Sequence, residues 1–195
     1  LIGLTFHEAA HAFAAWKLGD PTAKQLGRLT LNPLKHLDLF GTLMIFIVHF
    51  GWAKPVPVNV ANFRHPKRDH LIVALAGPAT NFLLAAAFGM LIRIMPNPGS
   101  LSGTMIFVYQ IVMYGLIINI VLAVFNLLPV PPLDGSSLVH LFFPARYERQ
   151  YRLFARAAGF LLLAVVVIGM LTKTSILGAI INKPVGLFLK LFAGL

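Results

Sequence analysis

The chain has 195 residues, 58% of them hydrophobic and only 11% charged, against about 45–50% and about 25% in a soluble domain, which excludes an ordinary soluble protein and predicts a polytopic membrane protein. Its formal net charge of +10 would suggest nucleic acid in a soluble chain, but the basic residues sit between apolar runs, so the lipid bilayer is the expected partner and nucleic acid is not. There is no cysteine, which excludes disulfides and thiolate metal ligands and leaves His and carboxylate to hold any metal.

In chain order, the first membrane-associated stretch is 1–17, ended by "KLGDP". A secretory signal peptide fits it poorly, because no basic region precedes it and no small-residue cleavage site follows. The chain opens on Leu1 rather than Met, so a short upstream piece is expected. "GRLTLNP" (27–33) and "KPVPVNV" (54–60) carry alternating β-branched residues and prolines, which favour strands or sheet edges over helix. Between them, 39–50 ("LFGTLMIFIVHF") is too short to span and suits a re-entrant or interfacial segment. Longer stretches follow at 69–95, closed by "MPNPG"; at 104–128, running into "LPVPPLDG"; and at 151–172. The tail 176–195 is broken by Lys183-Pro184, which predicts a poor span or a surface-lying helix.

The expected fold is an all-α polytopic membrane protein with about four to six transmembrane helices, a small membrane-associated β-hairpin or sheet and a short re-entrant segment. With no repeat, low-complexity tract or soluble domain, residues 1–195 form one membrane-embedded domain, with a core over 1–140 and C-terminal helices over 150–195.

Eight of the sixteen Lys and Arg fall between Lys17 and Arg68, and Arg146, Arg149, Arg152 and Arg156 follow the 104–128 stretch, whereas 96–103 has none. The positive-inside rule then places 17–68 and 129–150 in the cytoplasm and the N-terminus and 96–103 outside, an alternation consistent across three spans.

Within the first stretch, "LTFHEAAHAFAAW" sets three ionisable groups where lipid penalises each by roughly 2.5 kcal/mol or more. His7 and His11 are four residues apart, so on a helix both rings project from one face and can grip one tetrahedral zinc. Glu8 lies beside the first and, as in H-E-x-x-H proteases, is placed to be the general base for zinc-activated water. The competing reading is a set of polar residues that only pack helices together. A catalytic zinc takes three protein ligands plus water. The chain has six acidic residues: Asp20 and Asp38 lie in the basic connection, and Asp69 and Glu148 flank spans among arginines. Asp134, at the end of the fourth stretch, approaches from the same side as His7 and His11, and a loop dipping inward would bring it to the metal; the alternative is an ordinary Asp-Gly turn. Prolines 129, 131 and 132 end the helix before it, and Gly135 permits a sharp turn.

"HEAAH" in an apolar helix, "GPATN" at 77–81 and "NLLPVPPLDG" at 126–135 together resemble the site-2 protease family of intramembrane zinc metalloproteases, peptidase family M50. "GDPTAKQLGRLTLNPLKHLD" and "FGWAKPVPVN" are similar to its compact prokaryotic branch without a PDZ domain. The likeness covers residues 1 to about 140. It implies one Zn²⁺ per chain held by His7, His11 and Asp134, with Glu8 as general base. It also implies that Asn126 contacts the substrate backbone or oxyanion, where an amide N–H₂ aimed at developing negative charge is a sensible donor; helix capping is the alternative. Asn81, in G-x-x-x-N, is read chiefly as a bond across a helix interface, with Gly77 allowing close approach.

The expected function is therefore intramembrane proteolysis: hydrolysis of a peptide bond within or near a transmembrane helix of a membrane-protein substrate. An exposed edge in 27–33 or 54–60 would accept the unwound peptide by β-augmentation. The expected location is a prokaryotic cell membrane, multi-pass, with the active site nearer the cytoplasmic side and a homo-oligomer or gating partner left open. The rivals are a metal- or ion-binding transporter and an inactive relative acting as a scaffold; intact Glu8 and the lack of paired broken helices disfavour them. His36 and Asp38 are read as interfacial or structural, Trp52 as an interface residue, and His49, His65, His70 and His140 as solvated or hydrogen-bonded side chains.

Overall fold

The computed structural model describes residues 1–48, 51–174 and 176–194; His49 and the end of the 39–50 stretch lie outside the described residues. The apolar runs are α-helices: α1 (Ile2–Lys17), α3 (Leu39–Val48), α4 (Pro66–Ile94), α5 (Gly103–Asn126), α7 (Glu148–Thr172) and α8 (Ile176–Ala193), with the short α2 (Thr22–Gln25) and α6 (Ser136–Phe142) between them. Among the described residues, α4, α5, α7 over Glu148–Gly169 and α8 are long and apolar enough to cross a membrane. The 16 residues of α1 make a helix of about 24 Å, short of the roughly 30 Å hydrocarbon core. The ten residues of α3 cannot cross, as expected.

The core is the seam between α4, α5 and α8, where Ala85, Ile92, Leu116, Ile120, Val124 and Ala193 are buried beneath Phe82, Phe88, Phe188 and Phe192. On the other side of α4, α1 buries Gly3, Thr5, His7, Glu8, His11, Ala12 and Ala15. These positions recur at three- and four-residue spacing, and most are small, so α1 lies close along α4. It meets the α4 face of Val73, Gly77 and Asn81.

Two expectations are corrected. The tail is not broken at Lys183-Pro184: α8 continues through Pro184. Proline removes one backbone hydrogen bond, but Ile181, Val185, Phe188, Leu189 and Phe192 pack on the core, and that burial outweighs a single lost bond. Arg93 at the end of α4 completes the anchorage, donating from Nε to the Phe192 carbonyl (2.7 Å) and from a terminal nitrogen to that of Leu191 (2.8 Å). The two C-terminal ends therefore lie side by side.

The expected hairpin does not form. Among the described residues there is no strand, only an isolated antiparallel bridge between Leu37 and Ala53, extended by the Lys54 N–H donating to the His36 carbonyl at 2.9 Å. The pairing stops there because the chain before His36 is wound into a 3₁₀ turn at Pro33–Lys35 and offers Val56 no extended neighbour. Side chains take its place. The buried Arg28 guanidinium donates to the Lys54 carbonyl (2.6 Å) and the Pro55 carbonyl (3.1 Å), and the buried His36 bonds the Thr30 carbonyl at 2.8 Å. Asp20, fully buried, accepts from the Asn59 N–H (2.7 Å) and Asn62 Nδ2 (2.7 Å). Segment 54–59 is thus pinned at both ends. Asp38 caps α3, accepting from the Gly41 N–H at 2.7 Å.

Candidate metal centre

One turn of α1 places His7 and His11 on the face that meets α4, with ring centroids 4.6 Å apart and planes at 85°. Each Nδ1 is committed to an acceptor. His11 Nδ1 donates to the Val73 carbonyl at 2.7 Å and His7 Nδ1 to Asn81 Oδ1 at 2.6 Å. A carbonyl can only accept, so neutral His11 carries its proton on Nδ1 and presents a lone pair at Nε2. The Asn81 amide is oriented the same way, because its Nδ2 donates to the Gly3 carbonyl (3.0 Å) and to Asn119 Oδ1 (2.9 Å). Gly77 makes room for both rings: a Cβ there would stand 2.5 Å from His11 Nε2 and 2.6 Å from His7 Cε1.

Asp134 arrives from the far end of α5. After Asn126 the chain folds back on itself, with the Gly135 N–H donating to the Asn126 carbonyl at 2.7 Å. Gly135 has φ −59°, which any residue adopts. Glycine is needed there for space, since a Cβ would lie 2.2 Å from the Leu127 carbonyl oxygen. The turn sets Asp134 Oδ2 at 3.1 Å from His7 Nε2 and 3.4 Å from His11 Nε2, and the two Nε2 atoms are 3.0 Å apart. Oδ2 is buried and receives no hydrogen bond. With both imidazoles neutral, three lone-pair donors thus converge within 4.8 Å of one another. Left alone this is repulsive; a cation resolves it. A two-nitrogen, one-carboxylate set suits zinc with one position open.

The cluster opens into a cavity of about 1770 Å³ walled by α1, α4, α5, α7, α8 and segment 51–58. Glu8 and Asn126 both line it. Glu8 makes no hydrogen bond or ion pair with any described residue. Asn126 donates one amide hydrogen to the Leu122 carbonyl at 3.0 Å, and no described residue accepts the other. Trp52 and His70 are also on the wall. His140 is not: it bonds Glu148 at 2.9 Å and stacks on Tyr151. A smaller groove of about 440 Å³ on the opposite face of α1, lined by Phe6, Phe13, Leu31 and Thr80, holds no titratable group.

A sequence profile of peptidase family M50 matches residues 95–171. Over its whole length the chain is 39% identical to the protein named "Putative zinc metalloprotease YwhC" of Bacillus subtilis, 89% of which it covers. The chain belongs to peptidase family M50. The mycobacterial M50 relative named "Putative zinc metalloprotease Rip2" in Mycolicibacterium smegmatis is 34% identical over 86% of the chain, which spans 64% of that relative's length. A relative in Methanocaldococcus jannaschii, named "Putative zinc metalloprotease MJ0611", is 33% identical over 70% of the chain, which spans 64% of that relative's length. No solved structure matches. The matched M50 region holds Asn126 and Asp134 but not the His7–His11 pair, so the meeting of the two halves is a result of the fold. Sequence reading overlooked Asn119 and the Val73 carbonyl. The lone Asn within the apolar "IINIV" is a signal for the first; a backbone carbonyl leaves none.

Proposed function

We propose that the chain is an intramembrane zinc metalloprotease that hydrolyses a peptide bond within or near a transmembrane helix of a membrane-protein substrate. The observation that carries this reading is the convergence of His7 Nε2, His11 Nε2 and Asp134 Oδ2 beside Glu8, in a cavity walled by apolar helices. The names of the M50 relatives support zinc and proteolysis. Zinc held by the three ligands supplies Lewis acidity for water and for the scissile carbonyl.

The chain's own groups do the rest. The Glu8 carboxylate takes a proton from water as its oxygen attacks the carbonyl carbon. It returns that proton to the departing amide nitrogen as the C–N bond breaks. Glu8 suits this because no described residue holds it by a hydrogen bond or ion pair. Asn126 lines the cavity, where its second amide hydrogen would stabilise charge on the carbonyl oxygen. The backbone N–H groups of Val56 and Val58 have no partner among the described residues, and in an extended chain they face the same edge. That edge can bond an unwound substrate segment even without a hairpin behind it. The basic 17–68 region supports a cytoplasmic position for the cavity mouth.

Replacing Glu8→Gln tests the reading. The variant keeps all three ligands, so bound zinc should stay at one per chain while cleavage of a model membrane helix falls at least about a hundredfold, in the range set by general-base catalysis. Undiminished cleavage by Glu8→Gln would sink the mechanism.

A further inference from the structure

We infer that Asn119, in the middle of α5, is a positioning residue for the metal centre, acting on His7 through Asn81. The inference rests on the metal-site reading above. Asn119 and Asn81 are 3% and 0% exposed, in helices that are otherwise apolar at that depth, where an amide left unpaired is costly. Each amide is hydrogen-bonded, and its partners set its direction.

Asn119 Nδ2 donates to the Gly115 carbonyl one turn back, at 2.8 Å. Its Oδ1 is therefore the end that faces Asn81, and it accepts from Asn81 Nδ2 at 2.9 Å. The second hydrogen of Asn81 Nδ2 goes to the Gly3 carbonyl at 3.0 Å. Asn81 Oδ1 can then only accept, and it takes the proton of His7 Nδ1 at 2.6 Å. That leaves the lone pair of His7 on Nε2, aimed at Asp134. Were Asn81 to rotate by half a turn, its N–H₂ would face His7 Nδ1 and force the proton onto Nε2, which could then bind no metal. The rotated amide would set its oxygen against two acceptors, the Gly3 carbonyl and Asn119 Oδ1. Asn119 supplies one of those two penalties. Gly3 lets Asn119 reach this position, because a Cβ on Gly3 would stand 2.6 Å from Asn119 Oδ1.

A residue that only glued α5 to α4 would change stability and leave the metal alone. The test is cobalt(II) binding to the purified full chain in detergent, followed by visible absorption and by competition with a chelator. Wild type should bind one cobalt with tetrahedral-type bands; absence of binding overturns the metal-site reading itself. Asn119→Leu should weaken cobalt binding about tenfold and shift the bands, the lower end of the range for partners of metal-binding histidines. Asn119→Asp, which is neutral when protonated and keeps both an acceptor for Asn81 and a donor for Gly115, should stay within about twofold of wild type. Asn81→Leu should weaken binding more, up to about a hundredfold, and adding Asn119→Leu to it should change nothing further. The inference is overturned if wild type binds cobalt and Asn119→Leu binds it equally, or if Asn119→Leu costs the same factor with and without Asn81. Should Asn119→Leu fail to fold, Asn119→Ser, whose hydroxyl can bond Gly115 but not reach Asn81, is read the same way.

Discussion

At the residue scale, the centre depends as much on what is missing as on what is present. Gly77 faces His7 and His11 across the α1–α4 contact, and the imidazoles cannot retreat because each Nδ1 is already bonded. Alanine there is the better helix former by about 1 kcal/mol, so Gly77→Ala should keep the helical circular dichroism of the wild type. Its methyl group, however, would fall 2.5 Å from His11 Nε2. Displacing that ligand should weaken zinc binding at least about tenfold, read by chelator competition. Unchanged zinc affinity would show that the rings can shift without cost. Gly135 answers a similar demand for space at the Leu127 carbonyl, although the sequence suggests a demand for turn flexibility.

At the element scale, the wall facing the metal is an irregular segment held by side chains. Asp20, in the loop after α1, is buried, which by itself raises the pKa of a carboxyl. The hydrogen bonds from Thr22, Asn62 and Asn59 more than reverse this and hold it below its ordinary 3.8. A carboxyl with a lowered folded-state pKa contributes stability that is fully present above the unfolded value and lost as the pH falls through the folded one. The thermal midpoint should therefore drop as the pH falls from about 3.8 downward, and Asp20→Asn, lower in stability at pH 7, should flatten that drop. A pH profile identical in the two proteins would refute the assignment. The 3₁₀ turn at Pro33–Lys35 removes the chain that would pair with this wall, so it is pinned rather than paired, and alternating residues alone mistake it for a hairpin strand.

At the scale of the whole molecule, three candidate ligands from two distant parts of the chain are pressed together. A cation that binds only the folded form stabilises it by mass action, about 2.7 kcal/mol at a free concentration a hundred times the Kd. Zinc should raise the thermal midpoint of wild type and of Glu8→Gln alike, and of His11→Ala far less. Equal shifts in all three would place the zinc elsewhere. The apolar helices add the second requirement of the proposed function, a cavity of about 1770 Å³ inside a bundle that lipid surrounds.

What the sequence by itself determined is local or compositional. Hydropathy marks the helices, the four-residue spacing puts His7, Glu8 and His11 on one turn, and the prolines after Leu128 end α5 ahead of Asp134. These follow from helix period and chain stiffness, which act over a few residues. Only the tertiary structure decided that Asp134 Oδ2 reaches both imidazoles, that α8 runs unbroken along α4, and that Arg28 replaces a strand ladder. It alone shows the relay from Gly115 through Asn119 and Asn81 to His7. Those outcomes depend on which polar groups find partners once apolar helices have packed, and such pairings join residues that no sequence window holds together.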